Sequence, residues 1–187
     1  MRKNNIPMYT LETKDSLKVF DLVAFTLQYE MSYTNILNML SMANIPIRAE
    51  DRTEDDPIVF CGGPCAYNPE PLYAVADFFA LGEGEVQLDE VLDLYKECKD
   101  KGLSKKEFLR KAVAIRGIYV PSLYDVTYNE DGTIKEFKPK YDDVPAKVTK
   151  AIINNFNEVE FPNKLIVPYG EIVHDRVTKI GRASCRE

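Results

Sequence analysis

Apolar residues in this chain fall into short unbroken runs separated by helical periods and charged loops. The run Asp21-Leu-Val-Ala-Phe-Thr-Leu27 is apolar almost throughout, with no alternation, as in a strand covered by helices on both faces. Similar runs stand at 58–60 and 78–81. Between the first two, Ile36, Leu37, Met39, Leu40 and Ala43 recur at helical spacing behind Ser32, a candidate N-cap, until Asn44-Ile-Pro ends the helix. A rigid loop around Pro69 and Pro71 leads into a brief helix over 73–76. After the third run, Val86, Leu88, Val91, Leu92, Leu94 and Tyr95 trace an amphipathic helix that dissolves in the polar stretch ending at Gly102. A further strand is expected over 7–12, preceded by what reads as the end of a helix. Strands alternating with helices predict an α/β fold, a parallel sheet of flavodoxin-like or Rossmann-like type.

Beyond residue 102 the pattern changes. Ser104-Lys-Lys-Glu107 is a capping box opening a helix with Phe108, Leu109, Ala112, Val113 and Ile115 on one side. Period-two runs at 124–128 and 133–137 around Asn129-Glu-Asp-Gly132 then predict an appended β-hairpin. A polar, proline-punctuated strap follows over 138–163, before strand-like runs at 164–168 and 171–175. The expected division is therefore an α/β domain over 1–102, a helix, hairpin and linker over 103–163, the start of a further unit over 164–178, and a tail over 179–187. Residues 180–187 back-translate onto a widely used sequencing-adapter sequence, so the tail is expected to be an artefact.

Two of the strand runs end directly in glycine turns, Cys61-Gly-Gly-Pro64 and Leu81-Gly-Glu-Gly84. In an open parallel sheet, ligands bind beyond the carboxyl ends of the strands, where backbone without Cβ atoms can come close. Gly62, Gly63, Gly82 and Gly84 are the candidate lining of such an edge, or else plain strand-to-helix turns. Glu83 and Glu85 read as acidic residues favouring the N-terminus of the following helix rather than as an acid/base pair. No catalytic residue is expected in the chain.

Composition narrows the partners. The 187 residues are 45% hydrophobic and 29% charged, with a net charge of −6, which argues against nucleic acid as partner. No apolar run is long enough for a membrane span and no secretory signal opens the chain, so a cytoplasmic protein is expected. Cys61 and Cys65 begin a spacing like that of a CxxxCxxC cluster loop, but Asn68 stands where the third thiolate belongs. Cys61 reads as a small buried strand residue and Cys65 as a turn residue, with no metal expected.

With these loops placed, four stretches together carry a resemblance: residues 20–37, the Gly62-Gly-Pro-Cys-Ala-Tyr-Asn-Pro-Glu-Pro loop, Leu81-Gly-Glu-Gly-Glu85, and Pro168-Tyr-Gly-Glu-Ile-Val-His-Asp-Arg176. The combination resembles radical S-adenosylmethionine (SAM) proteins with an N-terminal cobalamin-binding-type domain. That resemblance implies a cobalamin-binding domain followed by a barrel whose 4Fe-4S cluster cleaves S-adenosylmethionine in the full-length protein only. It places the barrel's first strand at 171–176 and the first strand of the N-terminal sheet upstream of Met1, leaving that sheet incomplete here. It implies that the chain alone is inactive for want of the cluster loop, and that its partners are the small-molecule cofactor and the C-terminal barrel. Carried over residue by residue, it proposes Thr26, Leu27 and Gln28, then Gly62, Gly63 and Pro64, then Gly82, Glu83 and Gly84 as cofactor-binding. His174, the single histidine, reads as structural rather than as a cobalt ligand. The alternative is a non-catalytic flavodoxin-like or receiver-like module that binds a nucleotide or a protein. Receiver modules require acidic residues at strand ends, and Asp21 begins its strand.

Overall fold

The structure, a computed structural model, describes residues 1–159 apart from 5, 156 and 158. Expectations for His174, for the strand-like runs at 164–175 and for the tail lie outside the described residues.

The chain is an α/β fold. A four-stranded sheet contains β1 (Leu22–Thr26), β2 (Ile58–Gly62), β3 (Phe78–Ala80) and β4 (Ile118–Tyr119), in that spatial order. The first three strands are parallel and β4 runs antiparallel against β3. Among the described residues three α-helices accompany them: α1 (Tyr33–Met42), α2 (Gly84–Asp100) and α3 (Lys105–Ala112). A separate antiparallel hairpin joins β5 (Tyr124–Tyr128) to β6 (Ile134–Pro139).

Sequence chemistry accounts for these elements. The central strand β2 has its first four residues buried, as its continuous apolarity requires. Consecutive residues of β3 then point to opposite faces. On one face Phe78 stacks on Phe60 at 4.6 Å between ring centroids and meets Phe108 of α3 edge-on. On the other, Phe79 stacks on Tyr119, whose ring touches Tyr124 and Phe137 of the hairpin. The hairpin is thus fastened to the sheet by an aromatic column. The capping box is formed: the Glu107 backbone N–H donates to Ser104 Oγ, and the Ser104 backbone N–H donates to Glu107 Oε2 at 2.8 Å.

Three expectations are corrected, and one strand is added. Residues 7–12 form no strand: Tyr9 makes an isolated bridge to Ser16 around a turn in which the Thr10 N–H donates to the Asp15 carbonyl. Proline 7 lacks the N–H a ladder needs, and the local turn satisfies the backbone instead. Ser32 does not cap α1. A 3₁₀ turn over Glu30–Ser32 runs straight into the helix, and the Ser32 hydroxyl donates to the Tyr29 carbonyl at 2.6 Å. Val86 and Leu88 lie on the exposed side of α2, whose buried residues are Gln87, Val91 and Cys98. The strand β4 was not expected, because two residues between a helix and Pro121 are too few to show a period.

At the amino ends of the strands sits a buried ion pair. Arg52 Nη2 lies 3.1 Å from Asp77 Oδ2, with the arginine side chain 2% exposed. The same guanidinium donates to the carbonyls of Pro46, Ile47 and Val75, while Asp77 also accepts the Val59 N–H. Burial pushes the Asp77 carboxyl up, against the pull of Arg52 and of the Val59 N–H.

Candidate functional site

Because β1, β2 and β3 are parallel, their carboxyl ends lie on one edge, and the register places Thr26, Gly62 and Ala80 side by side across the three strands. The predicted groups after each strand therefore stand along a single rim. Thr26 and Gln28 are exposed, Pro64 is exposed, and Gly62 and Gly63 are half-buried. Among the described residues the Thr26 hydroxyl makes no hydrogen bond. Leu27 differs: its side chain is fully buried, its N–H donates to the Gly62 carbonyl at 2.7 Å, and its carbonyl accepts the Cys65 N–H. It builds the rim without facing solvent.

The glycines divide by what stands against them. At Gly63 (φ 95°) a Cβ would come within 3.0 Å of the Leu27 carbonyl and of Thr26 Cγ2, so its bareness serves the packing of β1's end. At Gly82 (φ 109°) a Cβ would fall on the backbone of Ala151, 2.5 Å from its nitrogen. Residues 150–153 of the strap cross the rim here. The Ala151 N–H donates to the Leu81 carbonyl at 2.9 Å and its carbonyl accepts the Glu83 N–H at 3.1 Å, a parallel bridge to Gly82. Arg116 Nε donates to the Lys150 carbonyl, and the Glu83 carboxylate accepts the Ile153 N–H. Glu83 occupies the N-cap position of α2 without making a side-chain cap bond, since its carboxylate is engaged by the strap. Gly84 faces open space. It lines a cavity of about 660 Å³ with Val86, Leu88, Asp89, Ile152 and Val159, and Ile153, whose N–H the Glu83 carboxylate accepts, borders the same cavity.

Aromatic residues border the β1–β2 part of the rim. The Tyr33 hydroxyl donates to the Cys65 carbonyl at 3.1 Å, the exposed Tyr29 donates to Met31 Sδ, and the exposed Tyr67 ring lies 5.9 Å from Lys150 Nζ. The strand-flanking aspartates belong to the opposite edge: Asp21 precedes β1 and pairs with Lys99 at 2.8 Å, and Asp77 precedes β3. Cys61 is fully buried within β2, and burial pushes its thiol up to about 12. Iodoacetamide near neutral pH is therefore expected to leave Cys61 unmodified in the folded protein and to alkylate it after denaturation. Rapid labelling in the native state would show that β2 opens.

Two residues escaped the reading of the sequence. Gly117 (φ 89°), just before β4, faces Gly82 across the strap: a Cβ there would lie 2.7 Å from Gln87 Oε1 and 3.0 Å from the Ala151 nitrogen. Gln87 is 2% exposed, and among the described residues neither its Oε1 nor its Nε2 has a partner. Its signal was present as the one polar residue in phase with Val91 and Cys98 on the inner stripe of α2.

Residues 1–121 match the family described as radical SAM proteins, N-terminal. The chain belongs to the radical SAM N-terminal family. An uncharacterized protein of Methanocaldococcus jannaschii is 32% identical over 94 residues, 49% of this chain and 19% of that relative. The match thus spans about a fifth of that relative's length. No solved structure matches the chain. In this radical SAM N-terminal domain the matched residues include all three rim segments and Gly117, but not the strap that crosses them.

Proposed function

We propose that this radical SAM N-terminal domain is the cofactor-holding portion of a larger radical SAM enzyme, and that its rim receives the nucleotide tail of a corrinoid. The observation that carries the reading is the row Thr26–Gly62–Ala80, with exposed Thr26, Gln28 and Pro64 and half-exposed Gly62 and Gly63 at one edge. These residues fit a flat polar ligand: the Thr26 hydroxyl is available as donor or acceptor at an exposed position beside Gln28 and Pro64, while Gly63 shapes the turn by packing on Leu27. Gly82 and Glu83 fit it only once the strap has lifted, because Ala151 stands there. A bound corrinoid supplies radical chemistry at its metal. The chain contributes the seat, with the exposed rings of Tyr29 and Tyr67 at its border. S-adenosylmethionine and a 4Fe-4S cluster belong in this proposal to the C-terminal barrel of the longer protein, since the 187 residues contain no CxxxCxxC loop and the chain alone is inactive in that chemistry. The cytoplasm is the proposed location, with Cys61, Cys65 and Cys98 all free thiols as a reducing compartment keeps them. Among the described residues no helix is long and apolar enough to cross a membrane. A receiver-like module gains no support, as Asp21 and Asp77 stand at the amino ends of the strands.

Titration of the full-length protein with hydroxocobalamin, followed by its visible spectrum, tests the proposal. Saturable binding is expected, weakened about tenfold by Thr26→Val, which removes one hydroxyl from an exposed position. No retained corrinoid, or a Thr26→Val protein that binds as the wild type does, would overturn it. Gly63→Val is unsuitable for this purpose because the new side chain strains the turn itself.

A further inference from the structure

We infer that residues 150–153 plug a second polar site at the β3–β4 end of the rim, floored by the Gln87 amide and shaped for a neutral carboxamide-bearing ligand. Four polar groups converge beneath Ala151. The Leu81 carbonyl and the Glu83 N–H are held by Ala151 itself, and Gln87 adds one acceptor and two donors that nothing described satisfies. Gly117 makes the convergence possible, because any Cβ there would displace Gln87 Oε1, the Leu81 carbonyl or the Ala151 nitrogen.

A buried amide left unpaired is costly, and its usual resolution is a bound water or a ligand group. The set is neutral and mixes donors with acceptors, so it complements a group of the same kind, a carboxamide, and not an ion. The Glu83 carboxylate beside the slot further disfavours an anion. The strap satisfies the backbone half of the set with its own peptide groups and leaves the Gln87 half unsatisfied. It acts as an incomplete ligand. Its fastenings among the described residues include the Ala151 bridge, the Arg116 bond to Lys150, the Glu83 bond to Ile153 and the Lys150 ammonium 5.9 Å from the Tyr67 ring. The identity of the ligand rests on the proposed function, for a corrinoid carries a ring of carboxamide arms. The existence of the plugged slot does not.

The full chain is compared as wild type, Arg116→Ala, Ala151→Trp, and Gln87→Leu combined with each, with cyanocobalamin as probe. Amide hydrogen exchange at Glu83 reports the strap and equilibrium dialysis reports binding. Arg116 is exposed, so Arg116→Ala keeps the test intact even where tryptophan at 151 disturbs folding. The opened variants are expected to exchange the Glu83 amide faster and to bind the probe about tenfold more tightly, because the fraction of protein ready to bind rises. Gln87→Leu should erase that gain. Unchanged exchange in both opened variants overturns the plug. Faster exchange with wild-type affinity, or a gain that survives Gln87→Leu, overturns the ligand slot and leaves the corrinoid reading standing, with Gln87 serving only a buried water. Absence of binding by every form, with the strap demonstrably open, overturns the corrinoid reading and the ligand class together, while the plug stands on the exchange data.

Discussion

Arg52→Ala is expected to cost about 3–5 kcal/mol of folding stability, the loss typical of removing one partner from a buried ion pair. The substitution strands the Asp77 carboxylate in the interior and leaves the carbonyls of Pro46, Ile47 and Val75 without a donor. Arg52→Lys should recover less than half of the loss, because a single ammonium cannot reach both the carboxylate and three carbonyls in the planar spread of a guanidinium. The pH dependence has a defined sign. Burial already raises the Asp77 carboxyl above its unfolded value, and loss of Arg52 raises it further. A group raised in the folded state stabilises fully below its unfolded pKa and loses that contribution as pH rises through the folded one. The deficit of Arg52→Ala should therefore be greatest at neutral pH and narrow as the solution is acidified through the carboxylate range. Urea unfolding at several pH values measures it. A deficit below about 1 kcal/mol at neutral pH, in the range of an exposed pair, would show that the pair does not anchor this edge.

Gly82→Val should be nearly as damaging, by a different route. Its backbone lies at φ 109°, which a β-branched residue adopts only under strain, and its side chain would occupy the space of the Ala151 backbone. About 2–4 kcal/mol is expected, with the strap expelled. Trypsin should then cut at Lys147 or Lys150 at least about tenfold faster than in the wild type, as expected when the open form dominates. Gly84→Ala is the matched control: nothing stands within 4 Å of its Cβ and its φ is ordinary, so stability should stay within about ±0.5 kcal/mol. Equal effects at 82 and 84 would contradict the division of the glycines.

That division marks the boundary of what the residues alone reveal. Continuous apolar runs identified β1, β2 and β3, but the two-sided cover they predict holds for the central strand β2 and not for β1, which lies at the sheet's edge with Ala24 and Thr26 exposed. The capping box announced α3, and the Asn129 turn announced the hairpin, because both are local devices. The rim was legible for the same reason: strands that run parallel must end together, and glycines at two of those ends mark close approach. What approaches was not legible. Gly63 yields to Leu27 and Gly82 to Ala151, a residue 69 positions away, and a spacing of that length leaves no pattern in a sequence. Gln87 was overlooked because Val86 and Leu88, its neighbours, suggested a different phase for α2. Tyr9 and its surroundings read as a strand by composition, yet a turn closed within eight residues, Tyr9 to Ser16, satisfied that backbone first.

The aromatic column has a practical consequence for anyone shortening this protein. Ending a fragment after α2 would strip Phe108 from Phe78 and Tyr119 from Phe79, uncovering two of the largest rings of the central sheet at once. Such a piece should collect in inclusion bodies, whereas a cut made after the hairpin and the strap keeps both rings wrapped and should stay in the supernatant.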